Sequence, residues 1–356
     1  MQRDEEFMAE ALELARAHPY TSPNPRVGAV VVRDGEIIGS GAHVRAGDQH
    51  AEAAALAGID ARGATLYVTL EPCNFTGKTP PCAPAVASAG IVRVVAAVED
   101  PDSRVAGRGF GYLRDRKIAV TVGVLGAEAK ALNAPYFHHR VTGRPLVTLK
   151  LALTLDGRMA AADGSSRWIT GPEARRRVHR RRAFADALLV GSGTVVSDDP
   201  RLTAREVQSI RQPLRVVVDS SGRVPPTAKA LGDGALIATT PAAPHEIQIS
   251  WKESGAEVVV LPESKDGVDL EALLELLGDK GCLDLYCEGG ATLATSLLAH
   301  ALVERLELHY APKLTGRGGP DIGDIGVATM AGAAVWRIAT VERAGQDVVI
   351  ELGKGD

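Results

Sequence analysis

Three short stretches carry residue types able to do chemistry: His50-Ala51-Glu52, Glu71-Pro72-Cys73 and Pro80-Pro81-Cys82. One imidazole and two thiolates suit zinc, whose catalytic sites take three protein ligands and leave a fourth position to water. His50, Cys73 and Cys82 are therefore the expected metal ligands. Such an ion lowers the pKa of its water toward neutrality, and a carboxylate that is not a ligand then moves protons. Glu52, two residues beyond the histidine, is placed for that task. Singly, each piece is weak. An H-x-E can arise by chance among nine histidines, and a lone cysteine is usually a small buried hydrophobe. What points to a metal is their order, with Pro directly before Cys73 and a strand leading into each piece.

The pattern is that of zinc-dependent aminohydrolases acting on a nucleobase-like ring, with one departure. Residues 74–81, eight in all, separate the cysteines where C-x-x-C is usual. Gly77 and the Pro-Pro pair let that stretch loop out and still bring both sulfurs to one ion. A simple cytidine deaminase would not need the loop.

These residues need elements to hold them. Phe7, Ala11 and Leu14 predict a helix over Glu5–Ala17, stopped by Pro19. Val27–Val32, the turn 33–35 and Glu36–Gly41 read as a hairpin. Helices are expected at His50–Ala57 and Cys82–Ala89, with strands at Thr65–Thr69 and Val92–Val98 and a weak one at Lys117–Val122. The segment Asn133–Pro145 breaks this pattern and sets the expected boundary, giving domains 1–144 and 145–356. Beyond it, strands at Leu146–Leu153, Ala187–Val190, Leu214–Asp219, Leu236–Thr239, Glu257–Leu261 and Leu283–Cys287 alternate with helices, the first of them basic, Pro172–Ala185. Both halves read as layered α/β.

Composition narrows the class. With 356 residues, 45% hydrophobic content and a net charge of −4, neither a nucleic-acid footprint nor a membrane-seeking surface stands out. No apolar run approaches the roughly 20 residues that span a bilayer. The acidic start is unlike a signal peptide, and four cysteines are too few for a disulfide framework. A cytoplasmic protein is expected. Cys282 and Cys287 flank an apolar strand with no nearby His and read as core thiols.

Longer motifs sharpen this. Asn24-Pro25-Arg26-Val27-Gly28, Gly41-Ala42-His43, the His50-Ala51-Glu52 segment and the stretched loop resemble the bifunctional deaminase–reductase family of riboflavin biosynthesis. So do residues 150–158, Trp168-Ile169-Thr170, Asp198-Asp199-Pro200 and Glu288-Gly289-Gly290. The resemblance covers nearly the whole chain. It implies a cytidine-deaminase-like α/β/α domain followed by a dihydrofolate-reductase-like α/β domain. It also implies zinc and NADPH as cofactors and a diaminopyrimidinone carrying phosphoribosylamine as substrate. Water would replace the 2-amino group, and NADPH would then reduce the opened ribose to ribityl.

Carried over by position, the resemblance places Asn24, His43, Asn74, Lys78 and Asp100 on the deaminase substrate. Asn74 stands where many members have Ser, and Phe75 where many have His; a phenyl ring cannot replace an imidazole donor. In the second domain it implies cofactor contacts at Ala152, Trp168, Thr194, Asp198, Ser220, Gly290, Ala291, Thr292, Leu293, Ala294, Thr295 and Ser296. Substrate contacts would be Ser166, Arg182, Leu202, Arg205 and Glu288.

That domain has no G-x-G-x-x-G after its first strand, so a standard Rossmann reading fails. Its Gly191-Ser192-Gly193-Thr194 and Glu288-Gly289-Gly290 turns could bring backbone N–H groups to phosphates. The run Arg175, Arg176, Arg177, Arg180, Arg181 and Arg182 is expected to be a solvated helix face, except that Arg182, with Arg205, would hold a substrate phosphate. Lys150 is a candidate to polarise the carbonyl of the opened sugar or protonate its oxygen, with a structural ion pair as the alternative. Two rival functions remain: a monofunctional deaminase whose second domain has lost reduction, and an RNA-editing deaminase. The expected partner is a small molecule, with no nucleic acid or membrane, in a homo-oligomer (dimer or tetramer).

Overall fold

The computed structural model describes residues 2–354 apart from 78, 208, 210 and 318. It divides into two compact units, 1–143 and 144–356.

The first unit runs α1 (Gln2–Arg16), β1 (Gly28–Arg33), β2 (Glu36–Ala42), α2 (Ala51–Leu56), β3 (Thr65–Val68), α3 (Cys82–Ser88), β4 (Arg93–Ala96), α4 (Arg108–Asp115), β5 (Ala119–Val122), α5 (Gly126–Leu132) and α6 (Ala134–Thr142). Its sheet has the order β2-β1-β3-β4-β5. β1 pairs antiparallel with β2 and β3, whereas β3, β4 and β5 are parallel. Asp34 (φ 54°) and Gly35 (φ 83°) turn the hairpin with two left-handed residues, the backbone that matches strand twist. Gly41 on β2 has a specific function: a Cβ there would lie 2.5 Å from the Ala55 nitrogen of α2. Small residues on both sides thus let α2 lie directly on the sheet, with Ala51, Glu52 and Ala55 buried.

The stretch 133–145, expected to break the pattern, is mostly helix. Asn133 ties α6 back to Arg26, accepting its N–H and donating to its carbonyl, both at 2.8 Å. Gly143, left-handed at φ 74°, ends the helix, so the break falls at the end of this segment and not through it.

The second unit runs β6 (Leu146–Thr154), α7 (Pro172–Phe184), β7 (Ala187–Gly191), α8 (Ser192–Asp198), β8 (Leu214–Val218), β9 (Ala235–Thr239), α9 (His245–Glu253), β10 (Glu257–Val260), the short pair β11 (Glu263–Ser264) and β12 (Gly267–Val268), α10 (Leu270–Asp279), β13 (Asp284–Cys287), α11 (Ala291–Ala299), β14 (Arg305–Ala311), β15 (Trp336–Ala344) and β16 (Asp347–Lys354). The main sheet has the order β10-β9-β8-β7-β13-β6-β14-β16-β15. It is parallel from β10 through β14, and β16 and β15 add antiparallel strands at one edge. Apolar residues cover both faces. Along β7, Ala187 and Leu189 join one core cluster while Leu188 and Val190 join the other, the doubly buried pattern of parallel strands. Each fully buried Leu or Val contributes about 1.5–3 kcal/mol relative to exposure. No helix among the described residues is long and apolar enough to cross a membrane.

Candidate active sites

In the first unit the ligand candidates lie where helices begin and parallel strands end. His50 precedes α2, Cys82 opens α3, and Cys73 sits in the loop after β3. The ligating atoms of His50, Cys73 and Cys82 all lie within 4.8 Å of one another. His50 Nδ1 stands 3.6 Å from Cys73 Sγ and 3.3 Å from Cys82 Sγ. One nitrogen and two sulfurs converging on a point fit zinc, and the three atoms leave a coordination position open. Sequence reasoning missed Thr79, whose hydroxyl lies 3.0 Å from His50 Nε2. With Nδ1 facing the sulfurs, Nε2–H donates to that oxygen and fixes the ring.

Glu52 is buried, and loss of solvent pushes its carboxyl up to about 7. Glu71, read above only as part of the Cys73 motif, is a clamp. Its carboxylate accepts the backbone N–H groups of Asp100, Gly107, Gly109 and Phe110.

His43 and Asn24 meet. His43 Nε2 accepts from Asn24 Nδ2 at 3.0 Å, and Nδ1 donates to the Gln49 carbonyl at 3.1 Å. Burial keeps this imidazole below its ordinary pKa, so it is held neutral. Asp100 is buried, which pushes its carboxyl up to about 6, and it accepts the Tyr136 hydroxyl at 3.0 Å. Asn74 lies in the loop between the cysteines, and Lys78 falls outside the described residues.

In the second unit a cavity of about 1430 Å³ opens beside the carboxyl ends of the central strands. This is the crevice where the chain order reverses between β7 and β6, the usual ligand position in open α/β sheets. Lys150 and Ala152 reach it from β6, and Ser166 and Trp168 from the β6–α7 loop. Arg182, Thr194, Asp198, Leu202, Arg205, Ser220 and Glu288 also line it, as do Gly290 to Leu293 and Ser296. Ala294 and Thr295 do not. Ala294 turns into the core with no exposure. The Thr295 hydroxyl donates to the Ala291 carbonyl and accepts the Gly323 N–H, both at 2.8 Å. On α11, Ala291, Thr292, Leu293 and Ser296 front the cavity, with Gly290 at its start.

The arginines of α7 correct a second expectation. Arg177 pairs with Glu342 and Glu351, and Arg181 with Asp284 at 2.9 Å. Arg182 binds Glu288 through two nitrogens, and Arg175 lies 4.5 Å over the Trp168 ring. Arg177 and Arg181 are packed into ion pairs because acids of β13, β15 and β16 lie opposite them, whereas Arg176 and Arg180 stay exposed as expected. Lys150 reaches the cavity wall; burial holds its amine below the usual lysine range, and the Glu288 carboxylate partly offsets that. Cys282 and Cys287 are buried free thiols.

Known families match both units. Residues 1–98 match the cytidine and deoxycytidylate deaminase zinc-binding region, and residues 145–350 match the RibD C-terminal domain. The chain is 42% identical to riboflavin biosynthesis protein RibD of Escherichia coli over 366 aligned residues, covering 98% of this chain and 99% of that one. The chain belongs to the RibD family. Its relative in Aquifex aeolicus is 43% identical, covering 98% of this chain and 97% of that one. The fold follows Acinetobacter baumannii RibD, form 1, at 36% identity with a TM-score of 0.90, covering 100% and 99% of the two chains. It also follows a Thermotoga maritima diaminohydroxyphosphoribosylaminopyrimidine deaminase/5-amino-6-(5-phosphoribosylamino)uracil reductase at 33% identity with a TM-score of 0.85, covering 99% of each. Members join a deaminase domain to a reductase domain in riboflavin biosynthesis, and the deaminase domain carries the zinc-binding region.

Proposed function

We propose that residues 1–144 deaminate 2,5-diamino-6-(5-phosphoribosylamino)pyrimidin-4(3H)-one and that residues 145–356 reduce the ribosyl chain of the product. The convergence of His50, Cys73 and Cys82 with buried Glu52 carries the first half. Held by Nδ1 and the two Sγ atoms, zinc supplies a Lewis acid that activates water. Glu52 takes the proton at its carboxylate and returns it to the departing 2-amino nitrogen, a role that fits a buried carboxylate two residues from a ligand. Asn24, through the neutral His43, and Asp100, through Tyr136, hold polar groups at fixed positions for the ring and the phosphoribose. Asn74 and Lys78 complete the substrate set from the loop.

For the reductase, the cavity has room for a dinucleotide. Gly290 leaves the first turn of α11 without a side-chain cap, so its N–H groups are free for a phosphate. NADPH supplies the hydride. Its contacts are Ala152, Trp168, Thr194, Asp198, Ser220 and the cavity face of α11. Lys150 gives a proton to the sugar oxygen, and the Glu288 carboxylate, which also faces the substrate with Ser166 and Leu202, partly offsets the lowering of its pKa by burial. Arg205 takes the phosphate. Arg182 acts mainly by positioning Glu288, since each of its nitrogens already donates within the protein.

Four free cysteines support a cytoplasmic location. The exposed Ile338 and Val341 on the edge strand β15 support a homo-oligomer, a dimer or tetramer. A two-stage assay tests the function. Purified protein should release ammonia from the diaminopyrimidinone phosphoriboside without cofactor, and oxidise NADPH only after that step. NADPH oxidation on the undeaminated substrate would contradict the order.

A further inference from the structure

We infer that Arg104 is a specificity-determining residue of the deaminase, binding the phosphate of its substrate. The inference rests on the deaminase reading above. Phe75 lies in the loop between Cys73 and Cys82 and has no donor of its own. Over its ring, 4.9 Å from the centroid, stands the Arg104 guanidinium. Asp102 fixes the other side of that group, accepting Nε at 2.9 Å and Nη2 at 2.6 Å, as well as the Arg104 backbone N–H at 3.0 Å. Asp102 is itself buried, and its own N–H donates to Asp100 Oδ1 at 2.9 Å. Phe75, Arg104, Asp102 and Asp100 therefore form one connected chain from the cysteine loop to a candidate substrate residue.

Only one edge of the guanidinium fork is used. Among the described residues Nη1 carries no hydrogen bond, and the side chain is 61% exposed. Arg140 lies 3.7 Å from the same Asp102 carboxylate, so that acid is shared between two guanidinium groups and does not neutralise Arg104 alone. An oriented fork with a free edge suits the non-bridging oxygens of a phosphate monoester. Stacking and pairing have already removed most of the rotamer freedom that a surface arginine would lose on binding.

Ammonia release from the phosphoriboside and from its dephosphorylated riboside separates this role from a structural one. Arg104→Gln should raise KM for the phosphorylated substrate about tenfold, the size of one charge-assisted hydrogen bond. It should leave kcat, zinc content and KM for the riboside unchanged, and Arg104→Lys should restore part of the loss. Should Arg104→Gln fail to fold, Phe75→Ala removes the stack and keeps the charge. It should raise KM roughly threefold for the phosphorylated substrate alone. Equal effects on both substrates, or none, would overturn the assignment and leave the deaminase reading intact. Absence of ammonia from the zinc-loaded wild type with either substrate would overturn both.

Discussion

Arg182 lays one edge of its guanidinium on the Glu288 carboxylate, Nε to Oε1 at 2.6 Å and Nη2 to Oε2 at 2.9 Å, while Nη1 donates to the Thr203 carbonyl at 3.1 Å. Both side chains are almost enclosed, at 12% and 11% exposure. Removing one partner of such a pair leaves the other charge without compensation in a poorly solvated place. Glu288→Ala should cost about 3 kcal/mol in urea unfolding. NADPH oxidation should fall at least a hundredfold, with ammonia release untouched. A stable variant with normal reduction would show the pair to be incidental.

Lys150 gives the reductase a pH signature. Burial lowers its pKa below 10.5 in the folded chain, so the unfolded chain binds the extra proton between the two values. Stability from this group therefore rises with pH across that window. Activity runs the other way. As pH climbs through the lowered pKa the proton donor is lost, and the reduction rate should fall on the alkaline side. Lys150→Arg should move that limb to higher pH, and Lys150→Met should remove it along with most of the rate. Unchanged NADPH turnover in Lys150→Met would take Lys150 out of the mechanism.

Thr79 is the partner of His50 Nε2 at 3.0 Å. Partners of this kind orient the ligand ring, and losing one typically weakens metal affinity about 10–100-fold. Thr79→Val keeps the shape and removes the acceptor. Competition with a chromogenic chelator should show the weaker zinc, and Thr79→Ser should recover it. Equal affinity in wild type and Thr79→Val would mean that the loop alone sets the ring.

The N-terminal helix is held by a charge. Asp4 accepts two nitrogens of Arg93, at 2.9 and 2.8 Å, and the Tyr67 hydroxyl at 2.7 Å. The Arg93 hydrogen bonds, first among its causes, lower its pKa from 3.8 to about 2. A depressed carboxyl contributes stability above its unfolded pKa and loses it as pH falls from about 4 toward 2. Asp4→Asn should lower stability at pH 7 by about 1–2 kcal/mol and flatten the acid limb of the melting curve. An acid limb identical to wild type would assign the loss to other carboxyls.

The zinc site was legible because soft ligands, a spare carboxylate and proline-bounded loops have few other uses together. Strands such as Val30–Val32 and Leu188–Val190 were legible because they are apolar without interruption. α6 was not, since Asn133, Pro135 and Gly143 look like loop punctuation. Only the structure shows Asn133 bonding to Arg26 and Tyr136 to Asp100. β14 to β16 escaped for another reason: polar and charged residues interrupt them, the buried Glu307 and His309 on β14 and Arg337, Glu342 and Arg343 on the exposed edge strand β15. Apart from Arg176 with Glu173, the ion pairs of α7 depend on acids 100 or more residues away in sequence, such as Glu288 opposite Arg182, and no local pattern contains them.

Glu52→Gln, assayed at both steps, tests the two-site account most directly. The variant keeps the size of the side chain and removes the proton carrier. Ammonia release should be abolished while NADPH-dependent reduction of supplied deaminated intermediate proceeds at the wild-type rate. Loss of both activities in a folded, zinc-loaded variant, or retention of ammonia release, would contradict it.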